Sequence, residues 1–189
     1  FVIIMMRTES VLYFKFNKWL YLYSIIAAVL LLSRYLFAMF YKPVPVDKNF
    51  TPPVTIIIPC FNEETWIRRT IISCLNQDYP VDSLEVIVID DCSTDKSLEV
   101  VKATIAELSE KEARYKVAER LSYFKQPQNA GKREAMAVGA KLAKHDLLVF
   151  VDSDSFLNPY AIVNLVQPFK DKDMGGVSGR TDVANTYTN

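Results

Sequence analysis

Hydrophobic positions change their spacing once along this chain, near residue 54, and the change divides the sequence in two. From Trp19 to Tyr41, "WLYLYSIIAAVLLLSRYLFAMFY" carries a single charge, Arg34, and shows no polar face. An α-helix needs about 20 such residues to cross the hydrocarbon core of a bilayer. Trp19, Tyr21 and Tyr23 at one end and Tyr41 at the other suit the two membrane–water interfaces, where aromatic rings collect. A core helix of a soluble protein would show a polar flank. A cleaved leader would be shorter and followed by small residues. The segment therefore predicts a transmembrane helix over 19–41. Within the N-terminal segment 1–18, "FVIIMM" reads as the tail of an earlier span, and a chain running from Phe1 to "TYTN" reads as a fragment. Arg7, Lys15 and Lys18 precede the span and Lys42 and Lys48 follow it, a charge bias too small to set an orientation.

A Pro-rich connector, 42–53, excludes helix and sheet interior. Beyond it short apolar runs alternate with helical periodicity. "VTIIIP" reads as a buried strand, and the helix after it places Ile67, Ile71, Cys74 and Leu75 on one face. "LEVIVIDD" is the next strand, and its helix should bury Leu98, Val101, Ile105 and Leu108. The charged stretch "EKEARYKVAERLSYFKQ" predicts an exposed helix and a weak strand. A helix from Gly131 follows, then the strand Leu147–Val151, read as fully buried. A last helix should be capped by Asn158, open on Pro159 and bury Ile162, Leu165, Val166 and Phe169. Continuous apolar strands alternating with amphipathic helices predict an α/β domain over 54–189, a mostly parallel sheet with helices on both faces.

Composition adds limits. Lys+Arg 22 against Asp+Glu 22 leaves no net charge, so nothing points to a nucleic-acid partner. Cys60, Cys74 and Cys92 are odd in number and lack metal-ligand spacing. They read as small buried hydrophobes of a reducing compartment.

The chemistry sits where strands end, as in α/β folds generally. "PCFNEE", "DDCSTD" and "DSDS" follow the first, second and fourth strands. Asp152 and Asp154, two apart in an extended segment, leave the same face. Two carboxylates there repel each other and resist desolvation. A hard divalent cation, Mg²⁺ or Mn²⁺, relieves both costs and commonly binds phosphates as well. Ser155 and Asn158 could cap the following turn without them. "NAGKREAM" brings Lys132 and Arg133 to a helix start that already favours anions, with Gly131 allowing close backbone approach. No GxGxxG or GxxxxGK[ST] occurs, against a dinucleotide oxidoreductase or a P-loop NTPase. His145 takes no role, and Trp66 reads as packing.

In this order and spacing, "TIIIPCFNEE", "VIVIDDCSTD", "NAGKREAM" and "VFVDSDSF" resemble the donor-binding half of family 2 glycosyltransferases. The processive membrane synthases are nearest. "GKREAM", "VDSDS" and "GGVSGRTDVAN" are most similar to hyaluronan synthases, with cellulose and chitin synthases as relatives. The resemblance implies a GT-A fold, a UDP-sugar donor (UDP-GlcNAc, UDP-GlcA or both), a polysaccharide acceptor, Mn²⁺ or Mg²⁺, and inverting transfer by a cytoplasmic domain of an integral membrane protein. It implies that Pro59, Asn62 and Glu63 line the nucleoside site, Asp91 reads the uracil, Lys132 contacts the diphosphate with Arg133 beside it, and Asp152 and Asp154 form the metal-binding pair, Asp154 as the more direct ligand. Phe61 stands where the family often has Tyr. The family's catalytic base and its Arg-Trp motif would follow Asn189, so these residues should bind donor without polymerising it.

Other readings are a single-sugar polymerase, a non-processive transferase, and, in a different class, a membrane-tethered phospho-acceptor or nucleotide-sensing domain. Phospho-acceptor folds place their acidic cluster on the first strand, whereas here that strand ends in "PCFNEE".

Overall fold

The computed structural model describes residues 17–40, 42–110 and 115–182. The proposed earlier span lies outside them, as does the end of "GGVSGRTDVAN". The chain divides into two compact units, Phe1–Val44 and Pro45–Asn189. In the first, α1 (Lys18–Met39) is a 22-residue helix with no buried residue, long and apolar enough to cross a membrane.

In the second unit, β1 (Val54–Cys60) and β2 (Leu84–Asp90) pair in parallel, Val54 opposite Leu84 and Cys60 opposite Asp90. Every residue of both strands is buried. Between them runs α2 (Ile67–Leu75), whose Ile67, Ile71, Cys74 and Leu75 are buried as its periodicity predicts. After β2 comes α3 (Ser97–Ser109). It buries Val101 and Leu108, while Leu98 and Ile105 are only partly covered because Ser97 and Thr104 turn inward. A short α4 (Val117–Arg120) leads into β3 (Leu121–Lys125), which pairs with β2. Then α5 (Lys132–Leu142) and β4 (Leu147–Phe150) complete a four-stranded parallel sheet of order β3-β2-β1-β4.

The two faces of the sheet are covered differently. Val54, Ile56 and Ile58 of β1 and Val86 and Val88 of β2 pack with residues of α2 and α3 and with Ile162. Ile57, Ile87 and Ile89, one residue out of phase, meet Ala135 of α5 on the opposite face. The chain lays down β2 and β3 on one side of β1 and then crosses to place β4 on the other. A crevice opens at such a reversal, beyond the carboxyl ends of β1 and β4.

Three expectations are corrected. The strand ending in Val151 is not fully buried, and Phe150 remains 44% exposed. Among the described residues β4 is an edge strand, so its outward side chains lack a neighbouring strand to cover them. The stretch after α3 is not simply exposed. Tyr115, Val117 and Arg120 are buried, and the Arg120 guanidinium donates to the carbonyls of Leu84 (2.9 Å) and Tyr115 (3.1 Å). Finally, Asn158 caps a turn rather than a helix. Its Oδ1 accepts from the Tyr160 amide at 3.0 Å, and α6 spans only Ala161–Leu165 before a 3-10 turn at Gln167–Lys170.

Candidate active site

At the crevice between β1 and β4 lies a cleft of about 490 Å³, whose walls include Pro59, Phe61, Glu63, Asp91, Lys132, Asp152 and Asp154. Three strand ends and one helix start meet there, as the sequence pattern requires.

The Asp152–Asp154 turn owes its direction to Ser153. Burial alternates along it, with Ser153 inside and both aspartates exposed. The Ser153 carbonyl accepts from Thr70 Oγ1 of α2 at 2.7 Å, a buried contact, and the Ser155 amide donates to the Asp152 carbonyl at 3.0 Å. Both carboxylates are thereby held toward the cleft. Asp152 Oδ1 accepts from Lys132 Nζ at 2.5 Å, with both side chains more than half exposed. Asp154 has no hydrogen bond or ion pair among the described residues. Burial, then the neighbouring Asp154 and Asp95 carboxylates, pushes the Glu63 carboxyl above its usual range.

Lys132 is the first residue of α5, and Gly131 before it has φ +88°. A Cβ at Gly131 would meet no protein atom within 4 Å, so among protein neighbours it is the positive φ that calls for glycine here. The loop ahead of it hangs on Asp91, which is nearly fully buried. Oδ1 of Asp91 accepts from Gln126 Nε2 (2.6 Å) and the Ala130 amide (2.8 Å), and Oδ2 from the Gly131 amide (2.7 Å).

Asn62 and Arg133 are placed differently from the rest. The Asn62 side chain lies outside the cleft wall, its Oδ1 accepting from the Thr94 amide at 2.8 Å, which holds the β1 loop against the β2 loop. Asn62 does this in the left-handed region, φ 56°, where Asn is tolerated. Arg133 is exposed on α5, about 100° around the helix from Lys132 and outside the cleft wall. Trp66 packs only partly: it is 44% exposed, with its ring centroid 5.9 Å from that of Phe156. Of the three thiols, Cys60 and Cys74 are buried but Cys92 only partly so.

Thr70, Ser97 and Gln126 were not singled out from the sequence. Ser97 Oγ accepts from the Glu63 amide at 2.7 Å and donates to Asp95 Oδ1 at 2.5 Å. A signal existed for Thr70, a polar residue inside the apolar face formed by Ile67, Ile71 and Cys74. No local pattern marks Gln126.

Residues 55–189 match the model of glycosyl transferase family 2. The chain belongs to that family. An uncharacterized glycosyltransferase of Haemophilus influenzae is 39% identical over 106 residues, covering 56% of this chain and 38% of its own length. An N-acetylglucosaminyltransferase of Rhizobium meliloti is 29% identical over 172 residues, covering 86% of this chain and 38% of its own. This family 2 chain thus spans less than half the length of either relative. Among solved structures, the mannosyltransferase PcManGT from Pyrobaculum calidifontis, in complex with GDP-Man and Mn²⁺, superposes with TM-score 0.64 at 28% identity over 77% of this chain and 41% of that one. Staphylococcus aureus TarS in complex with UDP gives TM-score 0.52 at 27% identity over 72% and 40%. The α/β architecture with a GT-A-like parallel sheet is therefore the expected one.

The cleft residues fit a divalent cation. Their donors are hard carboxylate oxygens, and those of Glu63 and Asp154 have no hydrogen bond or ion pair among the described residues. No group of three or more His, Cys, Asp or Glu suited to a metal occurs among the described residues, so the two aspartates would leave positions for other ligands. That suits a cation that also binds phosphate and water.

Proposed function

We propose that these residues form the donor-binding half of a membrane-anchored glycosyltransferase that uses a UDP-sugar with Mn²⁺ or Mg²⁺ and transfers, with inversion, to a growing polysaccharide. The observation that carries this reading is the Lys132–Asp152 ion pair, 2.5 Å long, beside an unpartnered Asp154 at the switch point of the sheet. A uridine donor is supported by TarS in complex with UDP, and an N-acetylglucosaminyl group by the relative named N-acetylglucosaminyltransferase. PcManGT with GDP-Man shows that this fold also accommodates guanosine. The motifs "GKREAM" and "VDSDS" support the finer reading, a hyaluronan-type synthase taking UDP-GlcNAc and UDP-GlcA. The apolar α1 supports an integral membrane protein; a cytoplasmic sugar-binding domain rests on the family resemblance and on UDP-sugars being made there.

In this reading Asp154 and Asp152 hold the cation, which when bound offsets negative charge on the departing diphosphate. Lys132 exchanges its contact with Asp152 for a charge-assisted hydrogen bond to a phosphate oxygen. Pro59, Glu63 and Asp91 form the nucleoside end of the cleft, Asn62 steadies the loop beneath them, and Arg133 adds positive charge at the helix start.

Calorimetric titration of UDP and GDP into the detergent-solubilised chain, with and without Mn²⁺, tests the donor site. Metal-dependent UDP binding abolished by Asp154→Asn is the expected result; absence of nucleotide binding by folded protein would refute it. For the finer reading, polymer made by the full-length protein from one sugar donor alone would exclude a hyaluronan-type activity.

A further inference from the structure

We infer that Asp91 is a positioning residue for Lys132, acting on the phosphate end of the cleft through the loop 126–131; this rests on the donor-site reading above. Asp91 follows directly on β2 and remains tied to β1, its amide donating to the Cys60 carbonyl at 2.8 Å. Its carboxylate gathers three donors from one loop: Gln126 Nε2, the Ala130 amide and the Gly131 amide. Pro127 has no N–H, and among the described residues Gln128 and Asn129 make no hydrogen bond that would hold the loop. Asp91 is thus the loop's main anchor between Gln126 and α5. Buried charge-assisted hydrogen bonds of this length are strong and directional. They fix Gly131, whose φ of +88° turns the chain into α5 and delivers Lys132 opposite Asp152. The register of the phosphate-facing ammonium is therefore set from the end of β2.

This differs from base recognition in what the substitution should disturb. A group that reads a base matters only for ligands that carry one. A group that places Lys132 matters equally for a bare diphosphate.

Inorganic pyrophosphate and UDP, titrated calorimetrically at fixed Mn²⁺ into the solubilised chain, separate the two. Asp91→Asn should weaken pyrophosphate by about 10-fold and UDP by at least as much, since it removes charge and puts an NH₂ group against an amide donor. Lys132→Met should weaken pyrophosphate comparably, and the double variant should be no weaker than Lys132→Met alone, because both changes remove one function. Merely structural damage would add to the Lys132 effect instead. Gln126→Met leaves the Asp91 carboxylate intact, takes one donor from outside the cleft wall, and should weaken pyrophosphate by about 3-fold; it also serves if Asp91→Asn fails to fold. UDP binding lost with pyrophosphate binding intact would overturn the inference in favour of base reading, and so would additive losses in the double variant. Wild-type protein that binds neither ligand would overturn the donor site and this inference with it.

Discussion

Replacing Lys132 by Met should move two affinities in opposite directions. Without ligand, Lys132 Nζ sits 2.5 Å from Asp152 Oδ1 and takes the place a cation would want beside that oxygen. Both side chains are more than half exposed, 58% and 56%, so solvent screens the pair heavily and it is worth about 0.5–1 kcal/mol. Removing the ammonium frees Asp152 for metal and should tighten Mn²⁺ binding by roughly 2–5-fold in the absence of nucleotide. With UDP present the balance reverses. The lost charge-assisted contact to phosphate, about 1.5–3 kcal/mol, should weaken UDP binding roughly 10–100-fold. The loss of free Mn²⁺ signal in electron paramagnetic resonance measures the first affinity, and calorimetry at saturating metal the second. In the wild type, linkage requires that UDP raise Mn²⁺ affinity by the factor by which Mn²⁺ raises that of UDP. Lys132→Met should shrink this coupling, because Asp152 no longer has to be released. Unchanged or weaker Mn²⁺ binding by the variant without nucleotide would refute the competition between ammonium and metal.

Other perturbations follow from the same packing. At Gly139 of α5, a Cβ would overlap Ile57 Cγ2 and come within 3.2 Å of Ile89 Cγ1, in strands with no room to yield. Gly139→Ala should therefore cost about 1–3 kcal/mol by overpacking, less about 1 kcal/mol of gained helix propensity, read as a lowered urea midpoint; a raised midpoint would contradict the packing. Glu85 is buried at the far end of the sheet, where Oε2 accepts from Thr55 Oγ1 (2.7 Å) and the Lys144 amide (2.9 Å). Glu85→Ala should cost about 3 kcal/mol in the same assay while leaving UDP affinity of the folded protein unchanged. Burial, followed for Cys60 by the nearby Asp90 charge, lifts Cys60 to about 12, and burial lifts Cys74 to about 12, each from an ordinary 9.0. A raised folded-state value means the stability is present below pH 9 and lost as pH climbs toward 12, so the melting temperature should fall across that window. At pH 8 a thiol reagent should modify Cys92 first and reach the other two only on unfolding.

The parallel sheet was legible because β1 and β2 are buried on both faces, and such strands read as unbroken Val and Ile runs. For β4 the same signature misled. "LLVFV" looks as continuous as "VTIII", yet only Val149 of its four strand residues is buried. Hydrophobicity reports what a strand tolerates, whereas burial depends on which strands flank it, a matter of topology. Asp152 and Asp154 were found because a two-residue spacing fixes their common face. Gln126 and the loop contacts of Asp91 were not, since each joins residues more than 30 positions apart. Asn62 sits within a motif, but its side chain serves the neighbouring loop; a motif places a residue near a site without setting its direction.

Charge in the cleft makes the strongest argument for a metal. Four carboxylates, from Glu63, Asp91, Asp152 and Asp154, and a single ammonium, Lys132, belong to its wall. Asp91 is compensated by three donors and Asp152 by Lys132. Glu63 and Asp154 lack such help, and burial, with the nearby Asp154 and Asp95 charges adding to it, raises the Glu63 carboxyl. A diphosphate entering this cleft alone would add negative charge to an uncompensated pair and would draw Lys132 away from Asp152, exposing a third carboxylate. Each of these costs is electrostatic and of the same sign, so one divalent cation at Asp154 reverses them together. Such a site should hold nucleotide and metal jointly and each poorly by itself, and the acidic wall that repels a bare diphosphate is what makes its binding conditional on the ion.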